Sequence, residues 1–312
     1  MMFNAEFSEQ SLGVREQAPP LIPYLGLIFQ IQMVSSIGEV LSGFTWRSLI
    51  GLVAKQYFPK IFRVLFEDAS QESRLWSFAF IPQRLEGLVE FRINLLGTAA
   101  AWGIEFYKIL EICGTTGVGR RRQKFRIVEG WFKSSQNDAV QFLRGEALLA
   151  WPVGRPIGLQ PLALGVDSLA DSSPLLLAID WQTPVLLKAN GRYLQQAPSF
   201  RLLVDRMATR INHVCQAVNG CDLLVDPDRS ALQALADKCR LLDASTQAVP
   251  LSRKSARTQQ TMKVEALTGR LLYLGNLAAI APLLDLASRL QLGSKTGLGF
   301  GAFEYSFIPL TG

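Results

Sequence analysis

The sequence predicts an α+β protein made of two tandem ferredoxin-like units, each running β-α-β-β-α-β, with a glycine-rich loop before each last strand. Three observations predict this. The segment "LVEFRINLLGTAAAWGIEFYKILEICGTTGVGRRRQKFRIV" from Leu88 matches "LTGRLLYLGNLAAIAPLLDLASRLQLGSKTGLGFGAFEYSFI" from Leu267 in its order of features. Both read as strand, Leu-Gly, alanine-rich amphipathic helix, Thr-Gly-x-Gly loop at Thr116 or Thr296, and closing strand. Upstream of each lies a further strand and helix, and the stretch between the halves has a polar start followed by Pro and Gly.

In the first half, "LGLIFQIQMV" alternates apolar and polar like a half-buried strand, and "GFTWRSLIGLVAKQYF" repeats its apolar residues at helical spacing. The repeat unit from Leu88 then supplies strand, helix and closing strand. In the second half, "LLLAIDWQTPVLLKANG" reads as strand, turn and strand, broken at Thr183-Pro184 and Asn190-Gly191. "SFRLLVDRMATRINHVCQAV" follows as a helix, with Ser199 as N-cap and Leu202, Leu203, Met207, Ile211 and Val214 on one stripe. The domain organisation expected is residues 1–140, a linker over 141–158 whose middle has room for a short strand or helix, and residues 159–312.

Composition narrows the classes. With 312 residues and 49% hydrophobic content the chain can bury a substantial core, which excludes a disordered protein. The most apolar run, Leu95 to Cys113, is interrupted by Glu105, Lys108 and Glu111, so no membrane span is expected, and "MMFNAEFSEQ" has acids where a signal peptide carries bases. Cys113, Cys215, Cys221 and Cys239 show no C-x-x-C spacing, which argues against zinc or a disulfide framework and for buried thiols in a reducing cytoplasm. No metal and no cofactor are expected.

The net charge of +6 matters less than where it sits. "RRRQKFR", Arg120 to Arg126, has five bases in seven residues, including Arg121, Arg122 and Lys124. "ASTQAVPLSRKSARTQQTMKV" carries Arg253, Lys254, Arg257 and Lys263 with no acid. The first run leaves the glycine loop directly, so Arg120 and Arg122 are expected on one face of a strand and Arg121 on the other. The second run precedes the second closing unit.

The loop "GSKTGLGFG" places Gly293, Gly297, Gly299 and Gly301 around Ser294 and Lys295. It is not a nucleotide-binding P-loop, because Lys295 sits between the glycines and the loop runs from helix to strand. Glycines serve a tight connection, and they can also present successive N–H groups to a phosphate, to which Lys295 would add a full charge.

These features in this order resemble the CRISPR-associated RAMP proteins, and within them the endoribonucleases that cut CRISPR precursor RNA at its repeats. "SRKSARTQQTMKVEALTGRLLYLG" and "PLLDLASRLQLGSKTGLGFGAFEY" carry the resemblance most specifically, and "FRVLFED" with "FAFIPQ" is similar to the segment before the first closing unit. The resemblance implies binding of CRISPR repeat or guide RNA, transesterification to a 2′,3′-cyclic phosphate without metal, and contact with other CRISPR effector subunits. The alternative is a catalytically silent RAMP subunit that grips an RNA hairpin or scaffolds an effector complex.

On this reading Gly293, Ser294, Lys295, Gly297, Gly299, Gly301, Arg120, Arg121, Arg122, Lys124, Arg253, Lys254 and Arg257 are expected to contact RNA. His213 and Lys295 are the catalytic candidates. The chain departs from the family pattern in having a single histidine: Gln291 precedes the glycine loop, and none lies on the first helix. A two-histidine mechanism is therefore excluded by count. His213 reads as a mid-helix residue with no neighbouring motif, and Thr45, Arg47, Lys55 and Tyr57 are further polar groups on the first helix.

Overall fold

A computed structural model describes residues 20–34, 43–67, 75–83, 87–133, 139–159, 174–254 and 261–309. The first unit opens with β1 (Ile22–Met33), α1 (Gly43–Tyr57) and a short helix α2 (Pro59–Phe62). It continues through β2 (Trp76–Pro82), β3 (Leu88–Leu96), α3 (Gly103–Thr116) and β4 (Phe125–Lys133). The sheet order β2-β3-β1-β4 places the first and third strands at the centre, with every pairing antiparallel. This is the ferredoxin-like arrangement that two β-α-β units make when interleaved. The register runs from Tyr24 opposite Leu96 to Gln32 opposite Leu88.

Alternation along β1 explains its placement. Leu25, Leu27, Phe29, Ile31 and Met33 face one side and are buried. There they meet Trp46, Ile50 and Val53 of α1 and Phe106, Ile109 and Leu110 of α3 in one core. Trp46 packs against Phe80, Phe91 and Phe125 at centroid separations of 5.1, 4.9 and 5.1 Å.

The expected linker carries β5 (Ala139–Arg144), β6 (Ala147–Leu148) and β7 (Arg155–Ile157). β5 and β6 extend the first sheet beyond β4, while β7 pairs with the start of β1.

The second unit comprises β8 (Leu175–Val185), the two-residue strands β9 (Lys188–Ala189) and β10 (Arg192–Tyr193), α4 (Phe200–Asn219) and α5 (Asp226–Asp237). It closes with β11 (Arg240–Lys254), β12 (Thr261–Gly275), α6 (Ala281–Leu290) and β13 (Phe303–Pro309). Its sheet order, β11-β12-β8-β13, repeats that of the first unit.

Three details differ from the sequence reading. β8 runs through Thr183-Pro184 instead of breaking there, because neither Pro184 nor the bulge opposite it stops the ladder, whose register shifts between Leu267 and Gly269. The unit's second long strand is β11, paired with β12 from Arg240 opposite Leu274 to Lys254 opposite Thr261. The helix α5 is an addition that the repeat did not announce. Ser199 does cap α4, its Oγ accepting from Leu202 N at 3.3 Å, and Gly220 at φ 71° ends the helix.

The two units meet through the second glycine loop. Arg47 Nη1 donates to Gly297 O at 2.8 Å, and the Arg47 guanidinium lies 4.9 Å from the Phe66 ring centroid and 5.2 Å from that of Trp76. Phe44 and Phe300 pack edge to face at 5.7 Å. A Cβ on Gly43 would come within 1.9 Å of Leu298 O, so the helix can start this close to the loop only with glycine there. Ala79 and Ile81 of β2 bury Ala302, and Arg92 of β3 pairs with Glu304 of β13 at 2.7 Å.

Two stability outcomes are expected. Gly301 sits at φ 80°, and an added Cβ would lie 1.8 Å from Leu292 O, so Gly301→Ala should destabilise by at least about 1–3 kcal/mol, seen as a lower melting temperature. Burial pushes the Tyr24 phenol up to about 12 and pushes Tyr273 up as well. In the unfolded chain both ionise near about 10. The stability these neutral phenols contribute is complete below that value and is lost as pH rises through the folded values. Melting temperature should therefore fall between about pH 10 and 12, and the fall should flatten in a Tyr24→Phe, Tyr273→Phe double variant.

Candidate nucleic-acid interface

The second glycine loop is a folded knot rather than an open row of amides. Leu292 N donates to Gly301 O, Ser294 N to Leu186 O, Leu298 N to Lys295 O and Gly299 N to Thr296 O. Gly301 N donates to Pro184 O, and Ala302 N to Thr183 Oγ1. Gly299 and Gly301 are therefore committed inward, both at positive φ, which corrects the expectation that successive N–H groups face a phosphate. Gly297 is buried as well, its carbonyl held by Arg47. These glycines make the helix-to-strand connection and the joint to the first unit.

The open part of the loop is Gly293 to Lys295. Gly293 takes φ 86° against Leu186 O, and Lys295 takes φ 62°, a left-handed conformation that turns the chain back into a short 3₁₀ segment over Thr296–Leu298. With Thr296 these residues form one wall of a cleft of about 360 Å³. Leu186 to Lys188 form another, and α4 supplies Arg206, Thr209, Arg210 and His213.

His213 and Lys295, far apart in sequence, thus line the same cleft. His213 is exposed, and although no sequence motif adjoins it, helix spacing sets polar side chains beside it. Residues 206, 209, 210 and 213 lie three or four apart and share one face of α4.

Arg210 anchors this wall. Its side chain is buried, with Nε and Nη2 donating to Leu290 O at 3.3 and 3.1 Å and Nη2 to Thr296 Oγ1 at 3.2 Å. It ties the end of α6 and the loop to α4. The Arg206 Nε is buried without a partner among the described residues, while Nη2 of the same guanidinium lies 3.6 Å from Asp205. Lys188 lies 4.9 Å from the Tyr193 ring centroid on the β9–β10 hairpin. The cleft therefore combines three cationic side chains from α4 and the loop with Lys188 and one imidazole. An anion is its natural guest.

Arg120, Arg121 and Arg122 occupy a different position from the one expected. Gly119 to Arg122 form a turn closed by the Val118–Gln123 bridge, with Val118 N donating to Gln123 O and Gln123 N to Val118 O at 2.9 Å each. The strand β4 starts only at Phe125, so strand alternation does not sort these arginines. All three are exposed on the turn, as is Lys124 beyond it. The turn is possible because Gly117 at φ 86° lets the Arg122 carbonyl approach, where a Cβ would stand at 2.3 Å.

The backbone of Arg253 and Lys254 belongs to β11, in the part of the β11–β12 hairpin that extends past the β8 pairing, which ends at Leu267. Arg257 lies outside the described residues. Lys188, Arg206, Thr209 and Arg210 are the residues that sequence reasoning missed, although the 206–210–213 spacing was available as a signal.

Among the described residues no group of three or more His, Cys, Asp or Glu is placed to hold a metal ion, and no helix is long and apolar enough to cross a membrane.

Residues 179–303 match the family model described as CRISPR-associated endoribonuclease Cas6. No curated protein matches the chain. Among solved structures, Thermus thermophilus Cas6 aligns at 13% identity with a TM-score of 0.55, over 91% of this chain and 99% of that one. A Cas6-related protein from Pyrococcus furiosus aligns at 15% identity and a TM-score of 0.50, over 92% and 100%. A Cas6-RT-Cas1–Cas2 complex aligns at 13% identity and a TM-score of 0.56, over 94% of this chain and 48% of that one. The chain thus shares its fold with these solved Cas6 structures, and its second unit, over residues 179–303, resembles the Cas6 endoribonuclease family.

Proposed function

We propose that the chain binds CRISPR repeat RNA and cleaves the precursor by transesterification, with the His213–Lys295 cleft as the phosphate site. The observation that carries this reading is that Lys295, Arg206, Arg210 and Lys188 line one cleft with an imidazole. Two solved Cas6 structures of the same fold are product complexes, which supports a nuclease reading by analogy.

The chemistry follows from the ligand. A ribose 2′-hydroxyl attacking its neighbouring phosphodiester must lose a proton, and the departing 5′-oxygen must gain one. The phosphorane-like state between them carries extra negative charge. Lys295 and the arginines stabilise it as fixed cations, a role that needs no change in protonation. The chain's single histidine takes the proton from the 2′-hydroxyl or gives one to the leaving oxygen, with solvent serving the other step. The exposed Arg120 to Arg122 turn and the β11–β12 hairpin grip the backbone of the RNA stem, which is read by shape and phosphate contacts.

The first expected outcome concerns the cleft. Incubated with labelled repeat RNA in EDTA, Lys295→Ala should lose binding and cleavage together, while His213→Ala should bind normally and cleave about 10²–10⁴-fold more slowly. Unchanged cleavage in His213→Ala would remove the imidazole from the mechanism. Binding with no cleavage by the wild type, across pH and matched repeats, would instead establish the binding-only subunit, which the lone histidine favours as the second reading.

The other outcome concerns the grip. Replacing Arg120, Arg121 and Arg122 by alanine should weaken RNA binding and reduce the slope of log affinity against log salt by up to about 0.7–0.9 for each phosphate that the arginines neutralise. Melting temperature should stay nearly constant, because exposed charges add little to folding. A melting temperature that collapses with binding would assign the turn a structural role.

A further inference from the structure

A second cleft, of about 470 Å³, lies at the joint between the two units, away from His213 and Lys295. Tyr24, Arg92 and Lys133 line it from the first sheet, and Arg289, Gln291 and Glu304 from the second unit. Its charges are unevenly satisfied. Arg92 is paired twice, with Glu90 and with Glu304. Arg289 is held by Asp285, Nε to Oδ2 at 3.1 Å and Nη2 to Oδ1 at 3.2 Å, but its Nη1 has no partner among the described residues although the residue is only 9% exposed.

Gln291, 1% exposed, has an Oε1 without a donor among the described residues. The Lys133 side chain is half-buried. Burial, and then the guanidinium groups of Arg92 and Arg289, push its amine below the ordinary lysine range. The carboxylates of Glu304 and Glu90 act on it in the opposite direction and more weakly.

A buried guanidinium edge, a desolvated amine and an orphan carbonyl oxygen are each costly to leave unmet. Two of them ask for an anion, while Gln291 Oε1 asks for a donor on the same guest. A bare oxyanion satisfies the first pair only. The Tyr24 ring, 6.0 Å from the Arg289 guanidinium, and the Tyr305–Phe307 pair supply apolar surface for an organic part. The volume suits a guest of mononucleotide size.

We propose that this cleft binds a phosphate monoester, its oxygens held by Lys133 and Arg289 and a hydroxyl or N–H of the same molecule donated to Gln291. The monoester has two sources, a free nucleotide or the 5′-phosphate end of an RNA strand. The site does not depend on the cleavage reading, because it shares no residue with the His213–Lys295 cleft.

Calorimetric titration of the full chain with adenosine 5′-monophosphate tests it. Saturable binding is expected, absent with adenosine, and weakened about ten- to a hundredfold in Lys133→Met, as removing a charge-assisted hydrogen bond should do. Lys295→Ala should bind the nucleotide as the wild type does. Lys133→Gln gives a second variant of similar length, and melting curves report whether each is folded. Displacement of the nucleotide by a 5′-phosphorylated oligoribonucleotide, but not by its 5′-hydroxyl form, would support the site with an RNA end as its guest. Failure of both oligonucleotides to displace it would support the site with a free nucleotide. Equal binding of adenosine, undiminished binding in folded Lys133→Met and Lys133→Gln, loss of binding in Lys295→Ala, or no saturable binding would overturn the proposal.

Discussion

The contact on which the rest of the structure depends is that between the N-terminal end of α1 and the second glycine loop. Arg47 reaches 250 residues along the chain to hold the Gly297 carbonyl, while Gly43 lets the Leu298 carbonyl approach where no side chain would fit. A buried carbonyl needs a donor, and a guanidinium clamped over Phe66 and Trp76 is a donor with little freedom left to lose. This one joint sets the first unit's helix against the second unit's loop. It thereby determines which loop residues are interior and which reach the surface.

Everything proposed for the surface inherits that division. Because Gly297, Gly299 and Gly301 are turned inward, the part of the loop that lines the cleft beside α4 is Gly293 to Thr296. Arg210 transmits the same constraint from the other side, tying α4 to the end of α6 and to Thr296. The two clefts are products of the same docking. One lies where the loop meets α4, the other where β13 and α6 meet the open face of the first sheet. On that face Tyr24 donates to Asn94 at 2.9 Å and Asn94 donates to Ser77 at 3.2 Å. Polar groups buried in this way are tolerable only because the second unit covers a satisfied network.

The duplicated sheet order shows how one supersecondary unit serves two purposes. In the first unit the glycine turn after α3 is short and projects three arginines into solvent on a closed bridge. In the second, the longer loop folds back through Leu292 and Gly301 and becomes the joint. The difference lies in length and partners. The first loop closes on itself through the Val118–Gln123 bridge, whereas the second has the first unit to pack against.

The sequence by itself determined the units and their periodicity. The repeat of strand, helix, glycine loop and strand, the Ser199 cap and the apolar stripes of β1 and α4 are local patterns, set by side-chain spacing on a backbone of known pitch. It also located the basic runs and the loop around Lys295. Only the tertiary structure decided that Thr183-Pro184 lies within a strand, that Arg120 to Arg122 crown a turn, and that His213 shares a cleft with Lys295. A glycine's φ and an amide's partner depend on what approaches from elsewhere in the chain, here Leu186, Pro184 and Arg47, and no local pattern encodes that approach. The same holds for Lys133 and Arg289, which are ordinary surface-type residues in sequence and become desolvated neighbours only when the two sheets meet.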